Sequence, residues 1–285
     1  MTGVQTCALP IFLLPDLRDP IHGQVASAFE QEAREGGYCV IIVAAENQLA
    51  LERVALRMFA EHRPDGVAFV SGVLSPTEAR ERADPDRLVF VQPDHRSLRR
   101  PGGALFPGVI QTDDAGGVTA AVNHLVDSGY RRIAYVGGGA RASSVAREAA
   151  VAATLRDRRI RTSLRTFPTS GEEWRAPADL AALIAADLPE ALVCYDDKLA
   201  LALMDALRGL GVRVPDDLGI IGFDGIPFAS ISNPRLTTVA VPSGEMGRVA
   251  ASSLIQAIRD GALPEAAILQ PELIVRESTR PQPAR

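Results

Sequence analysis

Short apolar runs alternate with amphipathic stretches of helical length along nearly the whole chain, and this alternation limits the possible folds most. The apolar run Ile11–Leu14, for example, precedes a helix-like stretch at residues 24–35 that ends at a Gly-Gly pair. Apolar strands separated by helices are typical of parallel sheets covered on both faces. Because the strand–helix units are too many for a single sheet, we predict an α/β protein with two doubly wound parallel-sheet lobes.

Composition and charge exclude several classes of protein. Hydrophobic residues make up 47% of the 285 residues, and the net charge is −5. Without a basic excess, the lobes themselves are poor binders of nucleic acid. The odd number of cysteines, at positions 7, 39 and 194, argues against a disulfide framework and indicates a reducing, cytoplasmic location. The four histidines lack metal-ligand spacing, and no apolar run reaches the ~20 residues of a membrane span. We therefore expect no metal, cofactor or membrane contact.

Five sequence motifs follow one another in the order typical of a known family. They are PDLRDPIHGQVASAFEQEAREGGYCVIIV at 15–43, DDAGGVTAAVNHLVDSGYRRIAYVGG at 113–138, SSVARE at 143–148, YDDKLALALMDALRGLGVRVPDDLGIIGFDGIPFA at 195–229, and PRLTTVAVPSGEMG at 234–247. Together they resemble the effector-binding core of LacI-family transcriptional regulators, which has a periplasmic-binding-protein-like fold of type I. Each motif alone is weak, but the ordered set covers the chain from about Ile11 to Arg276.

The resemblance implies how the chain divides. The expected N-terminal lobe is 11–128 plus 243–270, and the expected C-terminal lobe is 129–242 plus 271–279. Residues 280–285 form a tail. Residues 1–10 lack the features of a signal peptide, and we interpret them as a non-native-looking lead-in. Because ligands of such sheets bind beyond the carboxyl ends of the strands, we expect a ligand cleft between the lobes.

The resemblance also implies a function. Family members are bacterial regulators in which a small effector, here expected to be a sugar, polyol or nucleoside-like metabolite, switches DNA binding. The sequence before Ile11 contains no helix-turn-helix. We therefore expect operator DNA to be contacted only through an N-terminal head missing from this sequence. The core is expected to act as a homodimer.

The second lobe supplies most of the predicted effector contacts. Ser143 and Arg147 lie four residues apart on one face of a helix, and the resemblance gives both a role in effector binding. The resemblance also places a ligand-contacting carboxylate at Asp224, and the preceding Phe223 is expected to contact the ligand as well. An aspartate before a glycine can otherwise be a simple turn residue. Arg147→Ala and Asp224→Ala are expected to abolish effector binding while leaving the fold intact.

Two further positions in this lobe are predicted from loops. At Asp196-Asp197 the family usually has Asn-Asp, so Asp197 is expected to cap the following helix and Asp196 to face the ligand. An acid in place of the amide favours hydroxyl-rich or cationic ligands over acids. Trp174 offers a flat apolar surface on which a sugar could stack, with a role in packing as the alternative.

The first lobe is expected to complete the site from the ends of its strands. Asp16, Ile21 and His22 follow the first strand, and Ser71 ends the third. The family often has two aromatic residues where this sequence has Ile21 and His22. Val241 stands where the family often has a glutamine. These departures indicate an effector that is unusual for the family.

Two other functions compete with the regulator. A solute-binding protein of a sugar ABC transporter would have the same fold, but no export signal or lipobox is visible. An enzyme is indicated only by the run GGGARA at 137–142, a loose match to a nucleotide-binding fingerprint. The segment about 20 residues further on is basic, which leaves NADP as the conceivable cofactor. We favour a simple crossover loop there and expect no catalytic activity.

Overall fold

The described residues of the computed structural model fall into two α/β units. These residues are 9–46, 48–62, 64–70, 74–82, 84–93, 98, 104–137, 139, 141–160, 164–168 and 178–280. The first unit extends to Thr112 and also includes Pro242–Leu269. The second comprises Asp113–Val241 and the segment from Gln270. The prediction of two α/β lobes with parallel sheets is confirmed.

The first unit contains a six-stranded parallel sheet. In chain order, its elements are β1 (Pro10–Leu14), α1 (Pro20–Glu35), β2 (Ile41–Ala44), α2 (Leu49–His62), β3 (Gly66–Val70), α3 (Pro76–Arg82), β4 (Leu88–Val91), β5 (Val109–Thr112), then α8 (Ser243–Asp260) and β11 (Ala267–Leu269). The strand order is β11-β5-β4-β3-β1-β2, and every neighbouring pair runs parallel.

The second unit repeats this design with one reversed strand. Its elements are α4 (Asp114–Asp127), β6 (Ile133–Gly137), α5 (Ala142–Asp157), β7 (Arg165–Pro168), α6 (Ala178–Ala186), β8 (Ala191–Cys194), α7 (Asp197–Gly209), β9 (Gly219–Asp224), β10 (Thr237–Ala240) and β12 (Glu272–Ile274). The order is β12-β10-β9-β8-β6-β7, and only β12 runs antiparallel to its described neighbour.

The central strands of both sheets are buried throughout, as the apolar runs predict. All five residues of β1, β3 and β6 are buried. Strands that are buried on both faces of a parallel sheet need no polar alternation. Strand β2 lies at the edge of its sheet and leaves Ile41 and Ile42 exposed.

The division between the units falls after Thr112 and not near residue 128. Helix α4 therefore belongs to the second unit, where it packs against α5 and the strands β10 and β12. Gly117 makes this close approach possible, because a Cβ at this position would lie 2.6 Å from Val239 and 2.8 Å from Pro271. The capping residue Asp113, which accepts a hydrogen bond from Gly116 N, starts the helix at the boundary itself.

The sequence-based interpretation missed several short elements. Strands β5, β7, β10 and β11 have four residues or fewer. Strands β5, β7 and β10 each contain two polar residues, and β11 has only three residues, so none of them forms an apolar run like those of β4 and β8. Of the predicted lead-in at 1–10, residues 1–8 lie outside the described part of the chain. Pro10 already belongs to β1. Of the predicted tail, only Arg280 is described.

Close packing of α1 and α8 in the first unit gives a testable prediction. A Cβ on Gly247 of α8 would overlap the backbone oxygen of Val25 and lie 2.7 Å from the Cβ of Ala28. Gly247→Ala is therefore expected to lower the free energy of unfolding by about 1–3 kcal/mol, measured by urea denaturation. Gly209→Ala in α7 is the control, because a Cβ there meets nothing within 4 Å. This control is expected to raise stability by about 0.5–1 kcal/mol; equal effects of the two changes would contradict the packing argument.

None of the helices in the described part of the chain combines the length and the apolar character that a membrane span requires.

Candidate functional site

The predicted polar residues of the second unit lie at the carboxyl ends of three neighbouring strands. Strands β9, β8 and β6 are adjacent in the sheet and run parallel. Asp224 ends β9, Tyr195 follows β8, and α5 with Ser143 and Arg147 follows β6. The topology therefore gathers these side chains at one edge of one sheet, where α/β folds bind ligands.

Arg147 is buried and held in a fixed orientation. The whole residue is only 5% exposed. The Nε atom donates to Asp114 Oδ2 at 2.8 Å, and Nη2 approaches the same oxygen at 2.8 Å. Nη1 donates to the backbone oxygen of Tyr195 at 2.6 Å. The guanidinium thus reaches the strand edge already oriented by one carboxylate and one carbonyl.

Aromatic rings complete the surroundings of Arg147. The guanidinium carbon lies 3.6 Å from the centre of the Phe223 ring and 5.0 Å from that of Tyr195. Burial opposes the charge of Arg147, but the attraction of Asp114, and then of Tyr195 and Asp224, raises its pKa above the usual value. Phe223 is only 1% exposed. Its position therefore supports the arginine by stacking.

Tyr195 is a residue of the candidate site that the sequence-based interpretation missed. Its hydroxyl and the Ser143 hydroxyl are 3.0 Å apart and share a hydrogen bond. Burial raises the pKa of Tyr195, so the phenol stays protonated. The available signal was its place directly after the buried strand β8. Ser143 is thus tied to the same group of side chains as Arg147.

Asp224 has a backbone conformation that few non-glycine residues adopt. Its φ is 112°, and the following Gly225 has φ 74°. A positive φ at a residue with a Cβ costs about 1–3 kcal/mol, and such residues cluster at functional sites. Asp224 is partly buried, and its charge acts on Arg147. This strained backbone argues against an ordinary turn residue, because a glycine would serve a turn better.

The structure gives the role of helix cap to Asp196 and not to Asp197. Asp196 is the N-cap of α7, where it accepts a hydrogen bond from Leu199 N at 2.7 Å. It is 4% exposed and lies 3.7 Å from Lys198 Nζ. The prediction that Asp197 caps this helix is wrong, because Asp197 is already the first helical residue. A buried capping carboxylate at Asp196 has less freedom to meet a ligand than the sequence suggested.

Asp197 instead connects three elements inside the second unit. It is fully buried. One oxygen accepts from Thr238 Oγ1 at 2.6 Å in β10, and the other from Ile226 N at 2.9 Å in the loop after β9. A Cβ on Gly222 would overlap Asp197 Oδ1, so only glycine fits there. Burial raises the pKa of Asp197 to about 7.

The predicted first-unit residues form a separate cluster at the turn between β1 and α1. Asp16 binds Arg18 through both carboxylate oxygens at 3.0–3.2 Å, and this hydrogen bonding lowers the pKa of Asp16. His22 is buried, and its Nδ1 lies 3.1 Å from the Asp16 backbone oxygen. Ile21 is partly buried in the first turn of α1, where Asp19 caps its backbone N–H. All three predicted residues thus occupy one strand end.

Two predicted site residues, Ser71 and Trp174, lie outside the described residues. Within the described ranges, no three His, Cys, Asp or Glu side chains lie close enough together to hold a metal ion.

Comparison with known proteins identifies the family. The model of the periplasmic binding protein-like domain matches residues 122–279, more than half of the chain. The HTH-type transcriptional regulator MalR of Streptomyces coelicolor is 30% identical over 288 residues, which cover 95% of this chain and 80% of MalR. This chain belongs to the LacI family of transcriptional regulators. The HTH-type transcriptional regulator DegA of Bacillus subtilis, 28% identical, covers 99% of the chain, and the match covers 83% of DegA.

A solved structure agrees with this assignment. The crystal structure of a LacI family transcriptional regulator from Arthrobacter in complex with lactose has a TM-score of 0.80 and 27% identity, covering 96% of this chain and all of that one. The chain is therefore the effector domain of a LacI-type regulator, and the transporter alternative is disfavoured. The relatives named here are regulators and not enzymes.

Proposed function

We propose that the carboxyl edge of the second unit's sheet binds a small, hydroxyl-rich effector such as a sugar or polyol. The observation that carries this proposal is the pair of Arg147, buried and fixed, and Asp224, held at a strained φ. A guanidinium donates to hydroxyl oxygens, and a carboxylate accepts from hydroxyl hydrogens. The two groups therefore complement adjacent hydroxyl groups on one molecule. The lactose bound by the Arthrobacter relative supports this class of ligand.

Effector binding would regulate DNA binding through an unequal affinity for two conformations of the protein. We assign DNA contact to a helix-turn-helix of the kind named in the relatives, and not to the two α/β units. Such regulators read paired half-sites, so we propose a homodimer working in the cytoplasm. It remains a prediction that the effector also contacts Asp16, Ile21 and His22.

A thermal-shift screen with lactose, monosaccharides, polyols and nucleosides tests the proposal. A ligand present at about 100 times its Kd stabilises the fold by roughly 2.7 kcal/mol, which is a measurable rise in Tm. We expect at least one compound to produce a saturable rise. A screen of dozens of such compounds without any rise would contradict the proposed function.

Asp224→Gly tests the role of the carboxylate without damaging the fold. Glycine adopts a φ of 112° freely, so this variant is expected to be at least as stable as the wild type. It is nevertheless expected to lose the thermal shift given by the effector. Arg159→Gly is the matched control, since Arg159 is exposed, belongs to the same unit and has φ 55°. The control should keep the full shift; an unchanged shift in Asp224→Gly would remove Asp224 from the site.

A further inference from the structure

The carboxylate of Asp114, which no sequence motif assigned to the site, is the ion-pair partner of Arg147. The Asp114 Oδ2 atom lies 2.8 Å from both Nε and Nη2 of the arginine. The two side chains are 16% and 6% exposed, so solvent screens their attraction weakly. The same carboxylate therefore sets both the direction of the guanidinium and its effective charge.

In the described part of this sheet edge, the cations Arg147 and Lys198 each have a carboxylate near them. The cations are Arg147, Arg141, whose charge acts on Tyr195, and Lys198 beside Asp196. The carboxylates are Asp114, Asp196 and Asp224. Among these described groups, three positive charges stand against three negative ones, and Asp197 beside Asp196 adds further negative charge when it ionises. These six groups therefore offer no excess positive charge to an anionic ligand. Removing the charge of Asp114 alone would change this sum to +1.

We propose that Asp114 is a positioning residue that neutralises Arg147 and thereby makes the effector site select uncharged hydroxylated molecules over anionic ones. A sugar phosphate or a sugar acid would bring its negative charge to an arginine that is already paired and to the carboxylate of Asp224. A neutral polyol avoids this repulsion and still uses the hydrogen-bonding atoms of both residues. This inference rests on the proposed function and narrows the class of effector.

The first experiment needs no knowledge of the effector. Sulfate serves as the probe, and its effect on Tm is measured for the wild type, Asp114→Asn and Asp113→Asn at constant ionic strength. Asp113→Asn removes the same charge one residue earlier, and its amide oxygen can still cap Gly116 N. We expect a saturable sulfate-dependent rise in Tm only in Asp114→Asn, and its loss in Asp114→Asn/Arg147→Gln. Equal sulfate responses in all variants would overturn the inference.

The second experiment compares neutral and anionic ligands directly. The affinities of the wild type for glucose and ribose are compared with its affinities for glucose 6-phosphate, ribose 5-phosphate and gluconate. Any other sugar that raises the Tm of the wild type is compared with its phosphate in the same way. We expect the wild type to bind the neutral sugar of each pair more tightly than the anionic derivative. In Asp114→Asn this ratio of affinities is expected to fall by about tenfold or more. Asp114→Glu, which keeps the negative charge, should retain the preference for neutral sugars. A wild type that prefers the anionic partner would refute the inference even if the variants fail to fold.

The outcomes separate the two proposals. If no neutral or anionic compound shifts the wild type, the proposed function fails, while the sulfate experiment still decides the role of Asp114. If neutral sugars bind and Asp114→Asn keeps the wild-type preference, the proposed function stands and the role of Asp114 fails. A purely structural role would lower Tm without changing either the sulfate response or the ligand preference.

Discussion

Replacing Arg147 with methionine is expected to lower the free energy of unfolding by about 3–5 kcal/mol and to abolish effector binding. The change leaves the poorly exposed Asp114 carboxylate without its ion-pair partner and the Tyr195 backbone oxygen without its donor. Removing one member of a buried pair destabilises more than removing both, because the remaining charge stays desolvated. In Arg147→Ala we therefore expect the fold to be retained but its free energy of unfolding to be lower.

A double-mutant cycle measured by urea denaturation tests this result. Asp114→Asn in the Arg147→Met background removes the stranded charge and is expected to recover about 1–3 kcal/mol of the loss. Arg156→Met is the control, since Arg156 lies on the same helix and is exposed, and its effect should stay within about 0.5 kcal/mol. If Arg147→Met resembles Arg156→Met, the buried ion pair contributes nothing to stability.

The fold was predictable because it depends on patterns that are local in sequence. Apolar runs such as Val67–Val70 and Leu192–Cys194 are buried strands in the structure, and the helices between them carry the expected apolar faces. Periodicity does not say which unit a helix packs on. The sequence predicts helix α4 in the first lobe, because nothing local shows that Gly117 fits against Val239 and Pro271.

The candidate site was predictable only in part, for a similar reason. Ser143, Arg147 and Asp224 follow strands, and their residue types suit a ligand, so their positions were visible in the sequence. The partners Asp114 and Tyr195 are separated from Arg147 by 33 and 48 positions. Which of Asp196 and Asp197 caps α7 depends on a single backbone position, because the cap is the last residue with an extended conformation before the helix, here Asp196. Contacts of this kind are set by tertiary structure.

The buried carboxylate of Asp197 is expected to make the second unit lose stability as pH rises from about 4 to 7. Burial raises the pKa of Asp197 from 3.8 to about 7 in the folded state. Between these values the folded protein holds a proton that the unfolded chain has already released. Since the unfolded state binds fewer protons there, the free energy of unfolding falls as pH increases. A shift of this size corresponds to about 4 kcal/mol, all of it lost by pH 7 and above.

Urea denaturation of the wild type and Asp197→Asn at pH values from 4 to 8 measures this effect. The neutral amide cannot titrate, so the stability difference between the two proteins should change by about 4 kcal/mol across the window, to the disadvantage of the wild type at higher pH. Asp205→Asn, an exposed change on the same helix, should run parallel to the wild type. Thr238→Val removes a donor to the ionised carboxylate and should extend the loss to higher pH. Parallel curves for the wild type and Asp197→Asn would mean that the hydrogen bonds from Thr238 and Ile226 outweigh burial and keep Asp197 ionised throughout.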